Sequence, residues 1–410
     1  MTSRAASGDS ADLPPTGCPA HPRALPVDGR PLSASPTLAA WRREAAASRL
    51  AFPDGHVGWI VTRHDLARQV LNDERFSQQP QRMPGPVEGS GPQVHGPLDD
   101  RAHESLRRAD LLGIDEPQHS RLRRMITARF SVRAARGRSG AVAATVRDAL
   151  ARLELHGSPV DLTRHFSEPV SILTHCDVLG VPRELAGEFT VRFSESDAMQ
   201  PRFDFLREIL DLRRSDPGDD TLSDLLASDL DDVEVEGLAF VLMSSGHDSV
   251  AYMISTAVVA LLTHPDQMQL LRQDPALMPG AIEEFMRFGA MFVTLFPRTA
   301  TTAIEMSGVS FAAGETVSVS PVAANRDERV FARPDDFDIT RDAFGHLGFG
   351  HGLHGCAGQQ LARVEIGTAV SHLITAFPSL RLEHADQLQP QPFAHPVATY
   401  RAGAVVVGWD

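Results

Sequence analysis

Ten residues near the end of the chain constrain its fold more than any other stretch. They read Phe349-Gly350-His351-Gly352-Leu353-His354-Gly355-Cys356-Ala357-Gly358 and run into a helical pattern over Gln359–Thr375. Four glycines in ten residues favour neither helix nor strand, so the segment must be a loop whose shape its surroundings impose. Three plain readings compete. Gly350, Gly352 and Gly355 satisfy G-x-G-x-x-G, but a dinucleotide site needs a preceding strand, a following βαβ unit and an acidic residue about twenty positions on. With about fifty residues following the motif in this sequence, such a unit is not expected. His346, His351, His354 and Cys356 could be a zinc cluster, although tetrahedral sites usually draw spaced pairs from two elements. The third reading is a turn around an inert cysteine.

A fourth reading uses more of the residues. A cysteine just ahead of a helix meets free amide hydrogens and the positive end of the helix dipole, and both stabilise a thiolate. Flanking glycines let backbone lie against a flat macrocycle where a Cβ would clash. An axial thiolate on haem iron pushes electron density forward and favours O–O cleavage. The ten residues fit F-x-x-G-x-x-x-C-x-G at each fixed position and also the form F-G-x-G-x-H-x-C-x-G. The chain thereby resembles the bacterial, soluble-type cytochrome P-450 family of haem-thiolate monooxygenases. The resemblance implies the cytochrome P-450 fold, mainly α with a smaller β-rich part, and haem b between a long central helix and the cysteine-loop helix. Cys356 is the implied axial ligand.

Other segments support the resemblance in the expected order. Glu284-Phe285-Met286-Arg287 supplies E-x-x-R, with Arg341 as the implied third member of a buried structural network. Val235–Thr263 is apolar around most of its circumference and predicts one long helix crossing the core. It carries Ser245-Gly246-His247-Asp248-Ser249, where the resemblance implies a distortion at Gly246 and a proton relay through the catalytic pair Asp248 and Ser249. Serine stands where the family usually has threonine; it keeps the hydroxyl but lacks the methyl that fixes the rotamer. The resemblance also implies His119, Arg123, Arg298 and His354 as partners of the haem carboxylates, which arginine suits bidentately. It covers roughly residues 35–410.

Organisation along the chain agrees. Residues 1–33 are rich in Pro, Gly, Ser and Ala and predict a flexible arm, leaving 34–410 as one catalytic domain. Strand patterns fall at His56–Val61, Thr302–Met306, Val309–Phe311, Thr316–Val319, Leu380–Leu382 and Ala404–Trp409, with a short helix at Asp65–Leu71. Ser77–Asp100 holds five prolines and four glycines and reads as a long functional loop.

Composition narrows the chemistry. All 39 basic residues are arginine, so Schiff-base, Walker A and Ser-x-x-Lys sites are excluded. A net charge of −14 argues against nucleic acid. No run of apolar residues is long enough to cross a membrane, and no apolar leader is present; a cytoplasmic protein is expected. Cys18, Cys176 and Cys356 are too few for a disulfide framework.

The resemblance further implies electrons from a ferredoxin and its reductase, docking at an arginine patch drawn from Arg121, Arg124 and Arg363. The pocket is expected beneath Ser77–Gly113 and Phe189–Leu212. Its expected walls are Met243, Ser244, Ala290–Thr294 (with Met291 and Val293) and the turn at Phe393–His395. Such a lining suits a mid-sized lipophilic or aromatic natural product. Met243–Met253 resembles the same stretch of enzymes that couple or tailor cyclic dipeptides, and hydroxylation and oxidative coupling both stay open. The alternatives are a non-catalytic haem-thiolate sensor, which needs neither the acid–alcohol pair nor the long loop, and a zinc hydrolase.

Overall fold

The computed structural model describes residues 21–79, 98–196, 198–384, 398–401 and 403–410. Eight helices position the site: α1 (Asp100–Ala109), α2 (Gln118–Thr127), α3 (Glu168–Leu179), α4 (Met199–Ser215), α5 (Asp232–Ser244), α6 (His247–Thr263), α7 (Met278–Phe288) and α8 (Gln359–Ala376). Most of their burial falls in two apolar cores. One surrounds α6, α7 and α8 through Ile254, Val258, Phe285, Ile366 and Val370. The other joins α1 to α5 through Ala102, Leu122, Leu179, Phe203 and Leu238.

The expected single helix over Val235–Thr263 is two helices. Ser245 is extended at φ −119°, ψ 148°, and Gly246 has φ +103° before α6 begins. Few residues other than glycine tolerate that φ, so Gly246 is what permits the chain to turn and restart. The break also leaves the last carbonyls of α5 without partners four residues on. Ser245 Oγ donates to the Val241 carbonyl at 2.7 Å.

Among the described residues the principal sheet has six strands in the order β1-β2-β3-β6-β5-β4: β1 (Arg23–Ala24), β2 (Ala47–Ala51), β3 (Val57–Val61), β4 (Phe76–Ser77), β5 (Arg298–Ala300) and β6 (Thr316–Val319). Parallel pairing of β3 with β6 brings Trp59 opposite Val317. The packed body starts earlier than residue 34: Arg23 and Ala24 pair in parallel with Leu50 and Ala51, and Asp28 accepts from the Thr37 amide at 3.1 Å. The strand expected from Thr302 begins at Ile304. No helix among the described residues is long and apolar enough to cross a membrane.

The E-x-x-R network has the expected three members. Arg287 and Glu284 are wholly buried and paired at 2.7 and 2.8 Å. Arg341 Nε reaches the same carboxylate at 3.4 Å, and Arg287 Nη1 also donates to the Asn325 and Pro334 carbonyls at 2.9 and 2.8 Å. All five guanidinium protons of Arg287 thus find acceptors, the last being the Asp336 carbonyl at 3.3 Å, and such pairing is the condition under which a buried ion pair is tolerable.

Candidate active site

The cysteine loop is built by short backbone contacts. Gly350 and Gly352 take φ +68° and +72°, and a Cβ on Gly352 would stand 2.5 Å from the Leu71 carbonyl oxygen. The Cys356 amide donates to the Phe349 carbonyl at 2.9 Å, closing the loop just before α8. The Phe349 ring lies beneath the Arg363 guanidinium, 4.5 Å from its centroid.

Cys356 is accessible, yet protein surrounds it closely enough that burial is the largest influence on its thiol and pushes it up; the Gly358 and Gln359 amides, Arg123 and Arg363 oppose this. The accessible sulfur surface therefore looks into the molecule. Two helix-start amides aimed at sulfur suit a thiolate, and a bound metal ion deprotonates such a thiol outright.

Four bases gather beside it. The His119 and His354 rings are 4.1 Å apart, and Arg123 Nη2 donates to the Gly355 carbonyl at 2.8 Å. Arg298 is buried on β5, with Nη1 at 3.3 Å from the Phe76 carbonyl. Burial presses Arg298 down to about 10, only partly offset by Asp115, and it also lowers Arg123. His354 falls to about 3 through burial and the charges of His119, Arg298 and Arg123; His119 is lowered in the same way. Both His119 ring nitrogens and Arg298 Nε are buried without a partner. Asp115, the nearby carboxylate, already accepts from Ser77 Oγ and the Gln78 amide. Such a cluster lacks anionic charge, and a flat macrocycle bearing two carboxylates fits it.

On the other wall, Asp248 and Ser249 open α6. Asp248 is exposed, its Oδ1 accepts from the Ser249 amide at 2.9 Å, and Ser249 Oγ donates to the Gly246 carbonyl at 3.2 Å. Ser244 is half-buried, with its Oγ unpartnered. Met243 departs from expectation: it is fully buried in the α1–α5 core, where its side chain packs among other helices. Val293 and Met291 sit on the segment that pairs with residues 398–400, the Val293 amide donating to the Ala398 carbonyl and the Tyr400 amide to the Met291 carbonyl, each at 2.8 Å. The Val293 side chain is buried in the core and Met291 packs against it half-buried. Phe393 lies outside the described residues, as does most of the loop expected over Ser77–Asp100.

Two of the three arginines expected to form a docking patch are engaged within the chain. Arg121 binds Glu234 at 2.6 and 3.0 Å, and Arg363 binds Glu283 at 2.6 and 2.9 Å. Glu283, also held by His346 at 3.0 Å, is thereby lowered to about 2. Arg124 is exposed. A further pair that the sequence did not single out, His175 and His247, lies behind the helix break with ring centroids 5.8 Å apart.

Fold and site together define a haem-thiolate protein. Comparison with known proteins agrees: the Cytochrome P450 family model matches residues 174–399. Cytochrome P450 105C1 of Streptomyces sp is 37% identical over 91% of this chain and 94% of its own length. The 6-deoxyerythronolide B hydroxylase of Saccharopolyspora erythraea is 34% identical over 84% of this chain and 89% of its own. A solved structure of CYP105P1 in complex with filipin I superposes with a TM-score of 0.84, at 31% identity over 95% of this chain and 99% of that one. The chain belongs to the cytochrome P450 family, O2-using enzymes that hold haem through a cysteine thiolate, and Cys356 supplies that thiolate here.

Proposed function

We propose that this enzyme is a monooxygenase that hydroxylates a mid-sized lipophilic natural product, with Asp248 and Ser249 delivering protons and a ferredoxin with its reductase delivering electrons. The observation that carries the proton assignment is the helix break, which places a carboxylate and a hydroxyl side by side at the restarted helix. Haem bound at Cys356 supplies the oxygen-activating chemistry. His119, Arg123, Arg298 and His354 would seat its carboxylates, whose charge would offset the burial that lowers all four. Asp248 is exposed, and so lies open to the water that this reading takes as the proton source. Ser249 Oγ, released from its 3.2 Å bond to the Gly246 carbonyl, turns to pass a proton on. Without a γ-methyl its rotamer is freer than threonine's, so proton passage competes with unproductive orientations.

The substrate class rests on relatives whose names specify hydroxylation of 6-deoxyerythronolide B or a complex with filipin I. Within that class a cyclic dipeptide is the candidate carried by Met243–Met253. Haem-loaded protein titrated with macrolactones and cyclic dipeptides, followed by turnover under isotopic O2, tests the reading. A low- to high-spin shift with one labelled oxygen in the product supports it. Coupled product without label replaces hydroxylation by bond formation, and a protein that binds haem but turns over nothing in either panel overturns it.

A further inference from the structure

One arginine ties together three of the helices that position the site. Arg207, on α4, donates through Nη1 to Asp99 Oδ2 at 2.5 Å and through Nη2 to Asp99 Oδ1 at 3.0 Å. The same Nη2 reaches Glu236 Oε1, on α5, at 2.7 Å. Asp99 caps α1, its Oδ1 accepting from the Ala102 amide at 2.7 Å. Gln200, two turns before Arg207 on α4, holds Asp99 from both sides: its Oε1 accepts from the Asp99 amide at 2.8 Å and its Nε2 donates to Oδ2 at 3.0 Å. Glu236 has further partners on α1, accepting from Arg101 Nε at 2.7 Å and from Ser105 Oγ at 3.3 Å.

The two carboxylates that share Arg207 are not equal. The Asp99 side chain is 43% exposed, whereas that of Glu236 is wholly buried. Taking Arg207 from Glu236 strips a buried charge of a partner, which is strongly unfavourable. Taking it from Asp99 returns a carboxylate to water and leaves Arg207 on Glu236, a small loss of the kind measured for exposed pairs. Both helices are also fixed to α5 by contacts that do not involve Asp99. A Cβ on Gly237 of α5 would stand 2.2 Å from the Ser105 carbonyl oxygen of α1, and Arg108 of α1 binds Asp231 at 2.6 Å. Phe203 of α4 stacks on Phe240 of α5 with ring centroids 4.0 Å apart. We propose that Asp99 and Arg207 form a clasp between the start of α1 and α4, which opens while Arg207 stays on Glu236, and that its opening admits ligands to the haem pocket. The admitting role rests on the reading above, in which a lipophilic substrate lies beneath the segments that carry α1 and the start of α4. Arg207 holds Asp99 well below the usual carboxylate range, so the clasp stays charged through neutral pH and is open to screening by salt.

The test uses the haem-loaded ferric enzyme and 4-phenylimidazole, whose ligation of iron moves the Soret band. Asp99→Asn keeps a good cap for the Ala102 amide and removes the charge that faces Arg207. Amide exchange across residues 103–105 should quicken by roughly three- to tenfold, the worth of one net hydrogen bond. Phenylimidazole should both bind and leave faster by that factor with its Kd unchanged, because a gate acts alike on entry and exit. In the wild type both rates should climb with salt, and in Asp99→Asn they should not. Arg107→Gln, which breaks the exposed Arg107–Glu104 pair on the same helix, should move none of these signals. Wild-type exchange in Asp99→Asn overturns the clasp. Faster exchange with unchanged ligand rates, or a change in one rate alone, overturns its role in admitting ligands. Should Asp99→Asn take up no haem, the salt series on the wild type decides: rates that stay flat overturn the gate. None of these readings needs turnover, so an enzyme that hydroxylates no natural product loses the proposed function and keeps the clasp.

Discussion

Cys356 sits where several demands conflict. Burial raises its thiol while two helix-start amides and two arginines pull it toward thiolate, and bound iron settles the conflict. Cys356→Ser should keep the fold but lose the strongly red-shifted Soret band of the reduced carbon-monoxide complex, read directly by absorption. The bases on the carboxylate side act through charge. Removing Arg298 as Arg298→Leu forfeits a charge-assisted hydrogen bond of about 1.5–3 kcal/mol, so haem should transfer to apomyoglobin roughly ten- to a hundredfold faster. Retention equal to wild type would show that Arg298 does not meet a carboxylate. His175 offers a pH test. Its folded value of about 3 lies below the ordinary 6.5, so between those values the unfolded chain binds a proton that the folded chain refuses. Its contribution to stability is present above about pH 6.5 and is lost as pH falls, at roughly 1 kcal/mol per unit. Urea titrations at pH 7 and pH 5 should therefore show a drop that His175→Asn diminishes.

At the scale of elements, the broken helix and the E-x-x-R network bear most on the site. Gly246→Ala must either hold an L-residue near φ +103° or heal the break. The first costs about 1–2 kcal/mol, and the second moves Asp248 and Ser249 together. Calorimetry distinguishes the two, because a healed helix gains stability while a strained one loses it. Glu284→Gln leaves Arg287 and the Arg341 bond without a counter-charge in a dry site, a loss of about 3–5 kcal/mol; haem content per folded chain and the melting transition would report it. The same elements show what sequence pattern can and cannot reveal. The E-x-x-R spacing and the cysteine loop were legible because helical period and a fixed glycine pattern are local properties. The break was legible as a distortion but not as an interruption, because residues 244–249 are a short polar step between the largely apolar runs 235–243 and 250–262, and one residue's φ leaves no trace in the sequence. β2 escaped because Ala47-Ser48-Arg49-Leu50-Ala51 lacks β-branched residues and owes its conformation to Val57–Val61 alongside. Met243 was placed in the pocket on the resemblance alone, which does not say which side of a buried helix a residue of this chain faces. His175 escaped because only the tertiary fold brings α3 to the break.

For the whole molecule, the proposed ferredoxin would have to dock on a chain of net charge −14, which draws no anionic partner from afar. Long-range attraction is unavailable, so any steering must come from a local field within about 8 Å, the screening length at physiological salt. The ion pairs decide which arginines can supply that field. Arg121 and Arg363 are neutralised by Glu234 and Glu283, whereas Arg124 is exposed on α2, the helix that also carries His119 and Arg123. Arg124→Glu should therefore slow ferredoxin-driven reduction several-fold at low salt, with the gap closing as salt rises, and leave substrate spin shifts unchanged. Arg363→Glu behaves differently, because it releases Glu283 and His346 and places a carboxylate over Phe349 beside the cysteine loop. Its effect should appear in the haem spectrum and persist at high salt. Stopped-flow reduction of both variants across a salt series separates docking from damage: if Arg124→Glu reduces as fast as wild type at every salt concentration, the partner approaches elsewhere.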